Sequence, residues 1–274
     1  MLPGLLLAFR EGLEVALIIG LLLGSLKKLG YASRAHGVWL GAGSAALISV
    51  AVALGLTAVG AELEGLPEAL YEGLALLLAA VVLTWMIFWM QRQGRSASKE
   101  MEAQVNRATA GGRGHGLLLV AFVAVLREGI ELALFMTAAA ATSSAQMAWV
   151  GGVFGLAAAA AAGYALFAST VRLNVRRFFQ LTGVILLIFA AGLVARGVHE
   201  FVEIGWLPAL IENVWNTTPA LNDQSALGQM AGSLLGYRSS PSLAEVISYI
   251  GYLVMILLLL WRTAHAPSPA AQRA

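Results

Sequence analysis

The chain has 274 residues, of which 59% are hydrophobic and only 12% charged, about half the charged share of a soluble globular domain. It carries thirty glycines, no cysteine and a formal net charge of +2. This balance excludes a disordered tail, a basic nucleic-acid-binding domain and a disulfide scaffold, and it leaves oxygen or nitrogen, with methionine sulfur as a remote third, to hold any metal.

Roughly 20 apolar residues cross a hydrocarbon core of about 30 Å. Seven apolar segments of that kind occur, near 2–26, 37–60, 69–91, 116–141, 147–170, 178–200 and 243–262. The expected fold is therefore all-α, a polytopic membrane protein of seven transmembrane helices. The first segment, MLPGLLLAFREGLE, has no basic region ahead of its apolar run and carries charges inside it. It reads as a retained span, not a signal peptide. Residues 92–115, rich in Gly, Ser and Arg, read as a cytoplasmic linker; 201–242 as an external loop with short helical stretches at best; and 263–274 as a disordered cytoplasmic tail.

The basic residues set the orientation. Lys27, Lys28, Arg34, Arg92, Arg95, Lys99, Arg107, Arg113, Arg172, Arg176, Arg177, Arg262 and Arg273 all fall on one side if the chain crosses seven times. The positive-inside rule makes that side cytoplasmic, with the N-terminus outside and the C-terminus inside an inner, cytoplasmic membrane. Trp39, Trp85, Trp89 and Trp261 near the inner ends, and Trp149 and Trp206 near the outer ends, agree with it.

Two of the spans carry charge. The first contains Arg10-Glu11-Gly12-Leu13-Glu14 and the fourth Arg127-Glu128-Gly129-Ile130-Glu131. The copies lie three spans apart, an odd number, so they run in opposite directions. Residues 1–91 and 116–200 thus read as an inverted repeat of three helices each, with 243–262 as a seventh helix added. At about 100° per residue, the arginine and both glutamates of each copy fall within about 100° of arc, on one helix face. Arginine and the second glutamate are i,i+4 neighbours, placed to pair. Charges near a bilayer midplane must face the protein interior and one another. Four carboxylates against two guanidiniums leave a negative excess, and carboxylate oxygens suit a hard cation. The central glycine leaves room for a close helix or an ion.

The paired motifs, REGLE and REGIE, in the first and fourth of seven spans, resemble those of the oxidase-dependent iron permeases. This family includes the fungal high-affinity iron permeases and the bacterial EfeU-type iron transporters. The resemblance covers the whole membrane domain. It implies a permease, not an enzyme, that imports iron, ferric or ferrous, as a transported substrate and needs no cofactor. It further implies Glu11, Glu14, Glu128 and Glu131 as iron-handling residues with Arg10 and Arg127 as motif partners. A periplasmic iron-binding protein and a haem peroxidase or oxidase are the implied partners, besides membrane lipid.

Other features stand beside that reading. The outer face is acidic, with Glu62, Glu64, Glu68, Glu72, Glu200, Glu203, Glu212, Asp223 and Glu245, and such a surface concentrates cations. His199, Glu200 and Glu203 at the outer end of span six, with Glu72 at the start of span three, form a candidate capture site. Their simpler reading is solvated helix ends. Met86-x-x-x-Met90 beside Trp85 and Trp89 reads as packing at the inner interface. Gly20-x-x-x-Gly24, Gly37-x-x-x-Gly41 and Gly151-x-x-x-Gly155 read as close helix contacts. No phosphate-binding loop is present, so the driving force is a gradient or the membrane potential. Transport of another cation, such as lead or manganese, is the alternative. A membrane-embedded metalloenzyme is a further one, disfavoured because His36, His115, His199 and His265 lie at span ends or in loops.

Overall fold

The computed structural model describes the backbone of residues 1–93, 103, 107, 115–142, 144–168 and 175–265. Most of the linker assigned to 92–115, and nearly all of the tail assigned to 263–274, lie outside these residues. Among the described residues the regular structure is helical, without a strand. The long helices are α1 (Leu2–Lys28), α2 (Ala35–Glu62), α3 (Leu66–Gln93), α4 (His115–Thr142), α5 (Ala145–Ala168), α6 (Val175–Glu203) and α8 (Leu243–His265), with a short α7 (Ala226–Leu235) before the last.

Five helices, α2, α3, α5, α6 and α8, are long and apolar enough to cross a membrane by length and composition alone. The remaining long helices, α1 and α4, have 27 and 28 residues and differ from the five in carrying the charged motifs. Large apolar side chains lie on the outside of the bundle, among them Leu47, Leu54, Val81, Val153, Leu181 and Leu257. Water would not tolerate so continuous an apolar surface, and a lipid environment requires one.

Local sequence explains the helix ends. Pro3 sits in the first turn of α1, where its missing N–H costs nothing, and Lys27 and Lys28 face the negative end of the helix dipole. Gly65, at φ +68°, makes the tight turn from α2 into α3. Ser225 caps α7 by accepting from the N–H of Gly228, and Gly236 closes it in the left-handed conformation.

Helices α1 and α4 touch at the centre; α5 packs along α1, α2 along α4, α3 pairs with α6, and α8 lies on α6. Small residues set these contacts. A side-chain carbon at Gly151 of α5 would strike the backbone of Met1 and Leu5, and one at Gly41 of α2 would strike that of Leu118 and Phe122. Met1 and Leu118, like Leu5 and Phe122, stand as far apart in sequence as Arg10 and Arg127. The motif glycines repeat the pattern, Gly12 facing Ala159 of α5 and Gly129 facing Ser49 of α2. These two contacts of α1 with α5 thus have counterparts between α4 and α2. The expected Gly37/Gly41 and Gly151/Gly155 stripes lie where those contacts form: Gly37 and Gly41 are buried on α2, and Gly151 and Gly155 abut α1.

The main core fills the space between α3, α4, α6 and α8, around Leu76, Leu83, Phe135, Phe189 and Leu193. The segment from 204 to 242 is a folded cap, with α7 as its helix. Backbone bonds join Val214 to Pro241 and Thr217 to Ser239. The carboxylate of Asp223 accepts from the amide and hydroxyl of Ser239. Gly236 meets Gly192 of α6 backbone to backbone, a closeness no side chain would allow. Arg196 and Ser233 both donate to the carbonyl of Thr142, which ends α4.

Candidate functional site

The motif helices bring their charges together at the centre of the bundle. Glu11, Glu128 and Glu131 are all buried, and each offers a carboxylate oxygen within 4.8 Å of the others. Glu14 lies beside this group, not in it. The i,i+4 pairs expected from the spacing are both formed: Arg10 Nη2 lies 2.8 Å from Glu14 Oε1 and Arg127 Nε 2.9 Å from Glu131 Oε1. Arg10 Nη1 also donates to Glu11 Oε1 at 2.6 Å, and Arg127 Nε stands 3.8 Å from Glu128 Oε1.

In each glutamate of the group, then, Oε1 faces an arginine. The second oxygen, Oε2 of Glu11, Glu128 and Glu131, is buried and has no hydrogen-bond partner among the described residues. Burying an acceptor without a partner is costly, more so when it is charged. One carboxylate oxygen of each lies within 4.8 Å of the others, so three buried carboxylates that each keep an unpartnered oxygen are an arrangement that a cation would satisfy. Glycine matters here: Gly12 and Gly129 let α5 and α2 close on the motif turns, with Ala159 and Ser49 where their side chains would be. A cavity of about 960 Å³ adjoins the group, reached by Glu11 and Glu128 and lined otherwise mainly by apolar side chains and glycines of α1, α2, α4 and α5.

Helix α3 supplies two contacts that spacing along the sequence does not reveal. Arg10 Nη1 donates to Met86 Sδ at 2.8 Å. The guanidinium carbon of Arg127 lies 4.2 Å from the ring centroid of Trp89, within cation–π range. Both residues read in sequence as inner-interface packing, and Met86 is indeed buried in the main core. Position counted along α3 alone does not show which of its side chains reach the motif. The one sequence signal was that Met86 and Trp89 are i,i+3 neighbours on one helix face.

The start of α3 and the end of α6 bring Glu72 and Glu200 near one another, with Glu68, Glu203 and Arg196 within electrostatic reach. Gly73 abuts the Cβ of Glu200. His199 points elsewhere. Its Nδ1 lies 3.1 Å from Glu245 Oε1, and its Nε2 3.6 Å from the exposed Glu203. Glu245 is buried and also meets Arg238 at 3.5 Å and the amide and hydroxyl of Ser242. Sequence analysis places Glu245 among the outer acids, with no sign that it meets His199 of α6 and Arg238 and Ser242 of the cap.

Five membrane-length apolar helices and two more that bury opposed charges define a multi-pass helical membrane protein. The chain belongs to the Iron permease FTR1 family, whose profile matches residues 1–264. It is 34% identical over 256 residues to a protein named ferrous iron permease EfeU of Yersinia pestis, covering 93% of this chain and 91% of that one. The Yersinia pseudotuberculosis protein of the same name is likewise 34% identical over 256 residues, covering 93% of this chain and 90% of that one. An Escherichia coli O6:K15:H31 protein, also named ferrous iron permease EfeU, is 32% identical over 255 residues, covering 92% of each chain. No solved structure matches.

Proposed function

We propose that this chain imports iron, as a transported substrate, across the cytoplasmic membrane through a site built from Glu11, Glu14, Glu128 and Glu131. The observation that carries this reading is the meeting of three buried glutamates between α1 and α4, each offering a carboxylate oxygen within 4.8 Å of the others and each with its Oε2 unpartnered among the described residues. The family and the names of the relatives supply the ion. Glu11, Glu128 and Glu131 hold it. Glu14, already paired to Arg10, joins when that pair opens. Arg10 and Arg127 limit repulsion among the glutamates when no ion is bound.

The chain crosses seven times, N-terminus outside, as two inverted three-helix repeats plus α8. Support for the repeat comes from the exchanged contacts of α1 with α5 and α4 with α2, and from the motif glycines facing equivalent residues. The acidic outer ends of α3 and α6, with Glu72, Glu200 and Glu203, concentrate the cation. His199, tied to Glu245, braces that end. An inside-negative potential favours inward movement by about 2.3 kcal/mol per charge per 100 mV. Rocking of one repeat against the other passes the ion inward, and the cavity beside Glu11 and Glu128 gives the helices room to move. A periplasmic iron-binding protein and a haem peroxidase or oxidase deliver the iron.

Iron uptake into proteoliposomes carrying Glu131→Ala or Glu14→Ala tests the site. The expectation is a loss of at least about tenfold for Glu131→Ala, since it removes one of three clustered ligands, and a smaller loss for Glu14→Ala. Uptake at the wild-type rate with normal protein levels in both would overturn it.

A further inference from the structure

Each motif arginine has more donors than its carboxylate partners use, and each is met by α3. Arg10 Nη1 carries two hydrogens. One goes to Glu11 Oε1 at 2.6 Å and the other to Met86 Sδ at 2.8 Å. Arg127 uses Nε towards Glu131 Oε1, while its guanidinium lies over the Trp89 ring. A guanidinium beside a carboxylate prefers the two-pronged pairing that engages both oxygens. Here neither does so with Glu11 or Glu131, and Oε2 of each stays without a hydrogen bond. Met86 and Trp89 stand one turn apart on a single face of α3, so one helix restrains both arginines.

We infer that Met86 and Trp89 are positioning residues that hold Arg10 and Arg127 in one-pronged pairs and so keep the second oxygens of Glu11, Glu128 and Glu131 open to the cation. The sulfur takes the Arg10 hydrogen that would otherwise reach a second oxygen. The indole face holds the Arg127 fork away from Glu131 Oε2. Without them the arginines close on the carboxylates and compete with the ion. This inference rests on the carboxylate site proposed above.

The test uses the full-length protein in detergent, titrated calorimetrically with ferrous iron alone under anaerobic reducing conditions, and in proteoliposomes for uptake. Trp89→Leu removes the ring, and Trp89→Phe keeps an aromatic face. Trp89→Leu is expected to weaken iron binding about tenfold and Trp89→Phe no more than about threefold. In uptake, the apparent KM of Trp89→Leu rises while its maximal rate stays within about twofold, because competition for the ligand oxygens is relieved by more iron. Met86→Leu, close in volume but without the sulfur acceptor, is expected to weaken binding about threefold or more.

The deciding arm is a double-mutant cycle. With Arg127→Gln there is no fork to restrain, so Trp89→Leu should no longer change iron affinity. Arg127→Lys, which cannot form a two-pronged pair, replaces it if Arg127→Gln is not recovered from membranes. Equal losses in Trp89→Leu and Trp89→Phe, or the same loss with and without Arg127, would assign Trp89 a packing role and overturn the inference. That outcome leaves the carboxylate site standing if Glu131→Gln still weakens binding. Unchanged affinity in Glu131→Gln overturns both.

Discussion

Arg10 and Arg127 open the same five-residue motif, yet the side chain of Arg10 is 2% exposed and that of Arg127 35%. Their glutamates are alike in burial, and the i,i+4 pairs are nearly equal, 2.8 Å and 2.9 Å. The difference comes from outside the motif. Both arginines reach both of their glutamates, but Arg10 is sealed against Met86, whereas Arg127 is farther from its first glutamate, at 3.8 Å, and leans on an aromatic ring. A repeated sequence thus fixes the carboxylate geometry twice, while the neighbouring helix makes one copy closed and the other accessible.

The largest effect is expected at the closed copy. Arg10→Gln strands two carboxylates in the interior, and breaking a buried pair costs about 3–5 kcal/mol. The expected outcome is a large drop in folded protein, read as thermal unfolding in detergent. Arg127→Gln should cost less than half as much, because that side chain is only partly buried. Equal losses would mean that the difference in burial has no energetic content.

Next come the glutamates themselves. Glu11→Gln, Glu128→Gln and Glu131→Gln should each lower iron uptake by about tenfold or more, since each removes a charged ligand from a small set. Glu14→Gln should retain more uptake than any of the three. A Glu14 variant as impaired as the others would place all four carboxylates in one equivalent site.

The glycines sharpen the comparison further. A methyl at Gly129 would press on both Cβ and Oγ of Ser49, and one at Gly12 on Ala159 and Leu156. Both substitutions to alanine overpack the interface at about 1–3 kcal/mol. Gly129→Ala is expected to be the worse, and Ser49→Gly alongside it should recover most of the loss in melting temperature. The smallest effect is expected at the outer end. Glu72→Gln and Glu200→Gln should raise the apparent KM for iron by about two- to fivefold through weaker local concentration of the cation. Glu203→Ala, at a side chain 67% exposed, should shift stability by no more than about 0.5 kcal/mol in a melt.

Much of this was legible in the sequence because membrane helices obey one-dimensional rules. Apolar length marked the long helices, five of which are apolar enough to cross a membrane, and helical spacing within each motif led to Arg10–Glu14 and Arg127–Glu131. The small-residue stripes at Gly41 and Gly151 announced close contacts. The fourfold glutamate group was read in outline, but spacing within one helix could not show that Glu14 stands apart from the other three. That depends on how α1 and α4 cross. His199 looked like a partner of Glu200 and Glu203 because they are near in sequence. It does reach Glu203, at 3.6 Å, but meets Glu245 of α8 more closely, at 3.1 Å.

The sequence by itself determined a helical membrane protein with two charged motifs, since hydropathy and helical period are properties of single segments. Tertiary structure alone decided which oxygens meet, which stay open, and that Met86 and Trp89 of α3 reach the motif arginines. Those are distances between helices, set by the glycine contacts that fix each helix's offset and by packing that no single segment encodes.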